Sequence, residues 1–286
     1  MEEWGIEGDA HVGKWHRQVS MLSFEKIEAF REKGADVDFG AFGENLVVEG
    51  VDLSKVPVGT KFQIGEAILE LTQIGKECHS HCAIYKVMGD CIMPSEGVFT
   101  RVLKGGEIKA DDEITMLPLE KDRPFTAAVI TLSDKGAAGE REDKSGPLIQ
   151  EMLMKEGYDV IETLLLPDGE QPLKHQLMRL ADQRQVNVIF TTGGTGFAER
   201  DVTPEATQAV CDRMAMGIAD AIRQYSLSIT GRAMLSRAVS GIRKKTLIVN
   251  LPGSPKAVKE SLEYVLPHLG HGLGILRGTD GECGNS

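Results

Sequence analysis

The sequence has no long apolar run, and its first residues do not lead from a basic segment into an apolar core. A transmembrane helix needs about 20 consecutive apolar residues, and a secretory signal needs a basic start before its apolar segment. We therefore expect a cytoplasmic chain without a membrane partner. Internal repeats and low-complexity tracts are also missing, and a composition of 41% apolar and 26% charged residues is that of an ordinary globular protein.

Basic residues are in the minority. The 286 residues include 43 Asp and Glu against 32 Lys and Arg, which gives a formal net charge of -11. Nucleic acids and anionic membranes bind clustered Lys and Arg, so neither is an expected partner. A small phosphate ligand is compatible with this charge, because the backbone N–H groups at one helix start can hold it locally.

Cysteine occurs five times, and three of the five (Cys78, Cys82 and Cys91) lie in one short stretch. In a cytoplasmic chain this pattern is typical of reactive thiols or metal ligands and not of disulfides. The C-x3-C spacing, with a third cysteine nine residues later, is near that of structural zinc sites but lacks a second pair. Inert buried thiols are the alternative, which we expect for Cys211 in a predicted helix; Cys283, in the polar tail, is expected to be exposed.

Two domains, 1–120 and 121–286, are predicted from the length and from a change of periodicity. In the first, short apolar runs separated by turns predict a mostly β domain, a barrel or folded sheet. It contains one predicted helix around residues 23–35 and a hairpin within residues 61–75. In the second, continuous Val/Ile/Leu runs alternate with amphipathic helices, which predicts an α/β domain with a parallel sheet covered on both faces.

Polar or glycine-containing segments follow four predicted strands of the second half. They are Ser133-Asp134, Pro167-Asp168-Gly169, Gly193-Gly194-Thr195-Gly196 and Asn250-Leu251-Pro252-Gly253. Ligands of open parallel sheets bind beyond the carboxyl ends of the strands, so these segments predict one ligand-binding edge. The charged loop 133–147, which includes Ser145, is expected to cover the ligand; an ordinary solvated loop is the alternative.

The glycine loop at residues 193–196 lies between a predicted strand and a predicted helix, the context of an anion-binding loop. It lacks the Gly-Lys-Thr/Ser ending of a P-loop and the spacing of the dinucleotide fingerprint. Thr203 as N-cap and Pro204 at the first position predict the helix start. Asp201, just before it, is placed to hold a metal ion near bound phosphates. A tight turn with a capping carboxylate is the alternative.

The second half resembles the MogA/MoaB family of molybdenum-cofactor biosynthesis over residues 125–277. The motifs that carry the resemblance are "SDKGAAGEREDKSGP", "LPDG", "TTGGTGFAERDVTPEAT", "AMLSRAVSGI" and "NLPGSPKAV". The resemblance implies a three-layer α/β/α sandwich with a mainly parallel sheet, assembled as a homotrimer through this domain. It implies an enzyme that transfers the adenylyl group of ATP to molybdopterin with Mg²⁺ and releases pyrophosphate.

Carried over motif by motif, Asp168 and Asp201 would be the functional carboxylates and the Mg²⁺ ligands, in keeping with the oxygen ligands that Mg²⁺ prefers. The implied substrate-binding residues are Ser133, Asp134, Ser145, Gly193, Gly194, Thr195, Gly196, Asn250, Pro252 and Gly253. Asp220 departs from the family pattern, because relatives more often carry Glu there.

The first half resembles the MOSC domain over residues 5–117. The motifs are "GIEGDAHVGKWHRQVS", "GENL", "IGKECHSHCAIYKVMGDCIMPSEGVFTRVLKGG" and "ADDEI". The resemblance implies a β-barrel that binds or sulfurates the molybdenum cofactor through a cysteine. The family has a strand before the first of these motifs, where only four residues precede it here. We therefore expect the barrel to lack that strand or the chain to start late.

Cys78 is the best match to the reactive cysteine of the MOSC family. Lys76, His79 and His81 flank it and would favour the thiolate, the form that attacks or carries sulfur. The other implied pocket residues are Asp9, His11, Arg17, Glu44 and Asn45, with Arg17 suited to a phosphate.

Taken together, the two resemblances predict successive handlers of one cofactor, with other cofactor-synthesis enzymes or target molybdoenzymes as partners. Two alternatives stay open. One is a carrier that binds the cofactor without using ATP. The other is a hydrolase of a nucleotide pyrophosphate, because one fold hosts many chemistries.

Overall fold

A computed structural model of the chain describes residues 1–78 and 82–280. The chain divides into two compact units, Met1–Glu120 and Lys121–Ser286. Within the described residues, no helix is both long and apolar enough to cross a membrane.

The first unit is built on a six-stranded sheet. Its strands are β1 (Val19–Ser23), β2 (Leu46–Val48), β3 (Lys61–Ile64), β4 (Ala67–Ile74), β5 (Val98–Lys104) and β6 (Ile114–Leu117). Its helices are α1 (Phe24–Glu32), α2 (Ala83–Met88) and α3 (Met93–Glu96), with a 3-10 turn at Leu53–Lys55. The strand order is β2-β1-β5-β4-β3-β6, so in the described part of the chain β2 and β6 are the edges of an open sheet.

Local sequence explains the central hairpin of this sheet. Ile64 pairs with Ala67 across a two-residue turn in which Gly65 has φ +54°, a left-handed value that glycine adopts readily. The predicted hairpin within residues 61–75 is confirmed. Two register shifts between β4 and β5 mark bulges, which bend a sheet. The predicted helix around residues 23–35 corresponds to α1, which buries Ile27 and Phe30.

The second unit is built on a second six-stranded sheet, of order β10-β11-β12-β9-β7-β8. Its strands are β7 (Thr126–Leu132), β8 (Asp159–Leu166), β9 (Val188–Thr192), β10 (Arg213–Met214), β11 (Ser240–Arg243) and β12 (Thr246–Leu251). Its helices are α4 (Asp134–Ala137), α5 (Ser145–Lys155), α6 (Glu170–Met178), α7 (Thr203–Val210), α8 (Met216–Ile229) and α9 (Pro255–Arg277). A π-helical turn, Arg179–Gln183, extends α6, and a 3-10 turn, Gly231–Leu235, follows α8.

This sheet is mixed. The neighbours β8, β7, β9 and β12 are parallel, as expected, whereas β11 and β10 are antiparallel additions. For β11, the reason is the two-residue connection between Arg243 and Thr246, with Lys244 at φ +51°. So short a link joins only antiparallel strands, because a parallel pair needs a crossover of a dozen or more residues. The predicted helix at Cys211 ends at Val210, so Cys211 lies just outside α7.

The sheet of the second unit is covered on both faces. Along β7, Ala127 and Val129 pack in a cluster with residues of α5 and α9, whereas Ala128 and Ile130 pack in a second cluster with residues of α6 and α7. This alternation is the two-residue period of a strand with both faces buried. The carboxyl ends of the four parallel strands consequently meet at one edge, between the two helical layers.

Candidate active site

A cleft of about 1040 Å³ opens at the carboxyl ends of the parallel strands in the second unit. The sequence-predicted residues in its lining are Ser133, Asp134, Ser145, Asp168, Gly193, Gly194, Asp201 and Gly253. The structure therefore brings residues from all four predicted strand ends, and from the start of α5, into one cavity.

Four other predicted site residues, Thr195, Gly196, Asn250 and Pro252, do not belong to that lining. Asn250 is fully buried. Its amide nitrogen donates to the hydroxyl oxygens of Thr191 and Thr207, each at 2.9 Å, and its oxygen accepts from a backbone N–H of the neighbouring segment at 3.2 Å. With both ends of its amide in hydrogen bonds, Asn250 ties β9 to α7 and supports the cleft from behind.

The glycine loop has a backbone conformation that other residues rarely adopt. Gly193 and Gly194 have φ +98° and +62°. A Cβ on Gly193 would lie 2.4 Å from the carbonyl oxygen of Leu132, and one on Gly194 would lie 2.4 Å from Oγ1 of Thr203. The chain therefore requires bare backbone at both positions, which leaves this part of the cleft wall free of side chains.

Thr203 fastens the glycine loop to α7. The N-cap of α7 is Val202, so the predicted N-cap role of Thr203 is wrong. The Thr203 hydroxyl instead donates to the carbonyl of Gly193 at 2.9 Å, and its backbone N–H donates to the carbonyl of Gly194 at 3.1 Å. The helix start thus fixes both glycines.

Arg237 holds the other side of the same loop. Its backbone N–H donates to the carbonyl of Thr195 at 3.0 Å, and its Nε donates to the carbonyl of Gly196 at 2.7 Å. The guanidinium also donates to the backbone carbonyl of Asp201 and pairs with Glu205. Sequence reasoning gave Arg237 no role, although it lies in one of the motifs that carry the family resemblance.

Five acidic residues line the cleft, namely Asp134, Glu142, Asp143, Asp168 and Asp201. The backbone N–H of Asp168 donates to Asp134 Oδ1 at 2.9 Å, and Nε of Arg200 lies 3.9 Å from Asp168 Oδ2. Burial raises the pKa of Asp168, and the neighbouring carboxylates raise it further, against the backbone N–H of Asp134 and the charge of Arg200. Negative charge at Asp168 is thus disfavoured until a cation approaches it.

This donor set fits a magnesium ion. In the part of the chain that the structure describes, no group of three or more His, Cys, Asp or Glu side chains forms a metal site by itself. Mg²⁺ does not need one, because it is commonly bound by one or two carboxylates together with substrate phosphates and water. Asp168, whose side chain is 11% exposed, and Asp201 are two carboxylates at the cleft wall that would suit this role.

Basic side chains line the same cleft. They are Lys135, Arg141, Lys144 and Arg200. Arg141 donates from a terminal nitrogen to Oγ of Ser133 at 2.8 Å, which draws the loop between β7 and α5 across the strand end. Arg141 could have been predicted as a site residue from the sequence, because it is a basic residue inside a glycine-containing loop that follows a strand. Cations around an opening that also holds carboxylates suit a ligand with phosphates and a metal ion.

In the first unit, the structure brings Asp9, His11 and Asn45 together. Asp9 accepts from the backbone N–H of His11 at 2.7 Å and from the amide of Asn45 at 2.8 Å. The backbone hydrogen bond from His11 is the main cause that lowers the pKa of Asp9. Glu44 is buried and accepts from two backbone N–H groups of its own loop, so it has a structural position.

Arg17 and Lys76 lie over one aromatic ring. The Arg17 guanidinium carbon is 5.7 Å from the centre of the Phe99 ring and 4.8 Å from that of Trp15. Nζ of Lys76 is 5.6 Å from the centre of the Phe99 ring. Both cations therefore contact the Phe99 ring at cation–π distance.

The thiols of the first unit differ in environment. Cys78 and Cys82 are exposed, whereas Cys91 is half-buried. The pKa of Cys82, the N-cap of α2, is lowered by the backbone N–H groups of Tyr85 and Ile84 and by the Cys91 thiol. Burial raises the pKa of Cys91. Cys82 is therefore a second candidate nucleophile beside Cys78.

The other predictions on cysteine and histidine concern four residues. His79, His81 and Cys283 lie outside the described residues. Cys211 is half-buried, and burial raises the pKa of its thiol to about 11. An uncharged thiol in this position agrees with the inert role expected for it.

Fold and cleft together define an α/β domain whose cleft suits a phosphate-bearing ligand, preceded in the chain by a mostly β unit. Residues 128–271 match the family described as "Probable molybdopterin binding domain", and residues 8–115 match the MOSC domain. The chain belongs to this molybdopterin-binding family and carries a MOSC domain before it, which confirms both resemblances.

Known relatives match the second unit. The molybdopterin adenylyltransferase of Helicobacter pylori is 40% identical over 153 residues, which are 53% of this chain and 87% of that protein. The molybdopterin adenylyltransferase of Haemophilus influenzae is 45% identical over 139 residues, 48% of this chain and 71% of that protein. The crystal structure of the molybdopterin biosynthesis enzyme MoaB from Thermus thermophilus is 45% identical, with a TM-score of 0.52 over 54% of this chain and 97% of that one.

Proposed function

We propose that the second unit transfers the adenylyl group of ATP to molybdopterin, with Mg²⁺, and releases pyrophosphate. The observation that carries the proposal is the meeting of Asp168, Asp201 and the Gly193–Gly194 backbone in one cleft. Relatives that are 40% and 45% identical, and that bear the name molybdopterin adenylyltransferase, support it.

The chain's own groups suit this chemistry. A phosphate oxygen of the pterin attacks the α-phosphorus of ATP in line with the leaving pyrophosphate, and negative charge grows on the phosphate oxygens. Basic side chains in the lining, Arg141 and Arg200 among them, are placed to stabilise this charge. The bare backbone at Gly193 and Gly194 lets a phosphate approach the loop closely. The attacking oxygen belongs to the pterin, so the transfer needs no nucleophile from the protein.

Asp168 and Asp201 would hold the Mg²⁺. When bound, the ion would supply positive charge that stabilises the negative charge developing on the phosphate oxygens. The raised pKa of Asp168, caused first by its burial, fits a carboxylate that is matched to a cation. The backbone of Asp201 is held by Arg237, and its Oδ2 accepts from the N–H of Ala198 at 3.1 Å, so this side chain is fixed before a ligand binds.

Pyrophosphate release tests the proposal. We would assay it with ATP and Mg²⁺, with and without molybdopterin, for the wild type, Asp201→Asn and Asp159→Asn. Asp201→Asn keeps the size of the side chain and removes its charge, so we expect a loss of about 100-fold or more. Asp159 is an exposed carboxylate at the start of β8, at the opposite edge of the sheet, and its variant is the matched control. An equal rate of pyrophosphate release with and without molybdopterin would contradict the proposal. Equal rates for the two variants would contradict it as well.

The MOSC domain is proposed to bind or sulfurate the molybdenum cofactor. Arg17 and Lys76, held over the Phe99 ring, are suited to its phosphate. Cys78 is the proposed sulfur carrier, with Cys82 nearby in the chain. Loss of one of two cofactor-binding sites in an Arg17→Met variant would support this assignment, and an unchanged number of sites and affinities would overturn it.

A division of labour between residues 1–120 and 121–286 is part of the same proposal. Two domains that act on one labile cofactor are joined in one chain. The product of one domain is therefore at a high local concentration near the other domain. The cofactor then passes to target molybdoenzymes.

The second unit is further proposed to form a homotrimer. Exposed apolar side chains on α8 and the turn after it are a candidate contact surface, namely Leu227, Ile229, Met234 and Leu235. Light scattering that gives the mass of a monomer would refute the trimer.

A further inference from the structure

Arg200 and Asp168 form an ion pair within the cleft. Nε of Arg200 lies 3.9 Å from Asp168 Oδ2, and both residues belong to the lining. The two partners differ in exposure, because the side chain of Asp168 is 11% exposed and that of Arg200 is 71% exposed. The carboxylate is thus part of the cleft wall, whereas the guanidinium stands in open space and has room to move.

Backbone contacts fix the Asp168 carboxylate without the help of Arg200. The N–H of Asp168 donates to Asp134 Oδ1 at 2.9 Å, and the N–H of Asp134 donates to Asp168 Oδ2 at 3.4 Å. These reciprocal hydrogen bonds join the ends of β7 and β8. Asp168 Oδ1 faces the glycine loop, 3.7 Å from the place of a Cβ on Gly194. Asp168 therefore keeps its position whether or not a cation lies beside it.

The pair itself is loose. At 3.9 Å it is an ion pair without a hydrogen bond, and the guanidinium of Arg200 donates no hydrogen bond to a residue that the structure describes. Ion pairs with so exposed a partner stabilise a fold very little, so folding does not explain this arginine. Its planar fork of N–H donors remains available for another ligand, and phosphate oxygens match that geometry.

The other basic residues of the lining have different surroundings. Arg141 donates to Oγ of Ser133, and Nζ of Lys144 lies 3.8 Å from Glu142. Lys135 is exposed and has no ion pair with the described residues. Within that part of the chain, Arg200 is consequently the basic residue of the lining that is paired with a proposed Mg²⁺ ligand.

We propose that Arg200 exchanges partners during the reaction cycle. It is the counter-ion of Asp168 in the metal-free chain, and it leaves Asp168 for the terminal phosphates of the nucleotide when Mg²⁺ is bound. The inference rests on the proposed function for the metal and the nucleotide. Two cations beside one carboxylate repel each other, so a metal ion at Asp168 disfavours the guanidinium there. Arg200 then binds the pyrophosphate that leaves.

The test compares Arg200→Met and Arg200→Lys with Lys135→Met, which removes the same charge from the same cleft. Mn²⁺ takes the place of Mg²⁺ because it accepts the same oxygen ligands, and its free ion is measured by electron paramagnetic resonance. The readouts are the Kd of Mn²⁺ alone and, by calorimetry, the Kd of pyrophosphate at saturating Mg²⁺. Neither readout depends on turnover.

Arg200→Met should shift the two affinities in opposite directions. Mn²⁺ alone should bind about 2- to 5-fold more tightly, because its competitor for Asp168 is gone. Pyrophosphate should bind about 10-fold more weakly, because charged hydrogen bonds to it are lost. Arg200→Lys keeps the charge, so both of its values should lie between those of Arg200→Met and the wild type. Lys135→Met should leave the Kd of Mn²⁺ unchanged, because solvent screens an exposed charge that has no contact with Asp168.

The outcomes separate this inference from the proposed function. An Arg200→Met variant that weakens both ligands or neither, or a Lys135→Met variant that tightens Mn²⁺ equally, would overturn the exchange and leave adenylyl transfer standing. So would a failure of every variant to bind Mn²⁺ without pyrophosphate. Opposite shifts in a chain that releases no pyrophosphate from ATP would overturn adenylyl transfer and keep the exchange. A wild-type chain that binds Mn²⁺ neither alone nor with pyrophosphate would overturn both.

Discussion

Replacement of Gly193 by alanine should destabilise the second unit strongly. Gly193 has φ +98°, and an added Cβ would lie 2.4 Å from the backbone carbonyl oxygen of Leu132. The left-handed conformation costs an L-residue about 1–2 kcal/mol. An extra atom forced into a packed site costs about 1–3 kcal/mol, and here the neighbour is backbone, which moves little. We expect the free energy of unfolding to fall by about 2–5 kcal/mol, a large part of the usual 5–15 kcal/mol.

Gly157→Ala is the matched control. Gly157 has φ +82°, lies between α5 and β8, and has no atom within 4 Å of an added Cβ. It should lose only the conformational part, about 1–2 kcal/mol. Urea unfolding should be followed by far-UV circular dichroism, because both tryptophans, Trp4 and Trp15, lie in the first unit and do not report on the second. Equal losses in the two variants would refute the argument that the loop is packed against Leu132.

Three more predictions concern the carboxylates and thiols. Arg237→Lys removes the guanidinium that holds the Asp201 carbonyl, and kcat/KM for pyrophosphate release should fall about 10-fold with ATP and molybdopterin. Asp168→Asn should abolish pyrophosphate release, because it removes a carboxylate of the site. It should nevertheless raise Tm at neutral pH, because the raised pKa of Asp168 shows that its charged form is disfavoured in the folded chain. By the same linkage, the wild type should gain stability relative to the variant as the pH falls through that pKa. At pH 7 iodoacetamide should alkylate Cys82 faster than Cys91, as peptide mass spectrometry would show, because hydrogen bonds lower the pKa of the first thiol and burial raises that of the second.

The location of the cleft could be predicted because it depends on strand ends. Apolar runs marked β7, β8, β9 and β12, and the carboxyl ends of parallel strands lie at one edge whatever the details of packing. The direction of each side chain at those ends could not be predicted. Asn250 is the clearest case, because side chains alternate along a strand and its amide points to Thr191 and Thr207 instead of the cleft.

Long-range contacts explain the remaining differences. The hydroxyl of Thr203 had two uses, as a cap or as a donor to the glycine loop, and only the position of Gly193 in space decides between them. The strands β10 and β11 are short and pair as antiparallel neighbours at the edge of a parallel sheet. Two- and four-residue strands carry too little periodicity to be recognised beside the longer runs.

The central claim is best tested by the fate of the α-phosphate of ATP. ATP labelled at that phosphorus would be incubated with the chain, Mg²⁺ and molybdopterin. The labelled products would then be separated and identified by mass spectrometry. Adenylyl transfer predicts the label in adenylylated molybdopterin, formed together with unlabelled pyrophosphate. Label found in free AMP, or left in intact ATP while molybdopterin is bound, would contradict the account.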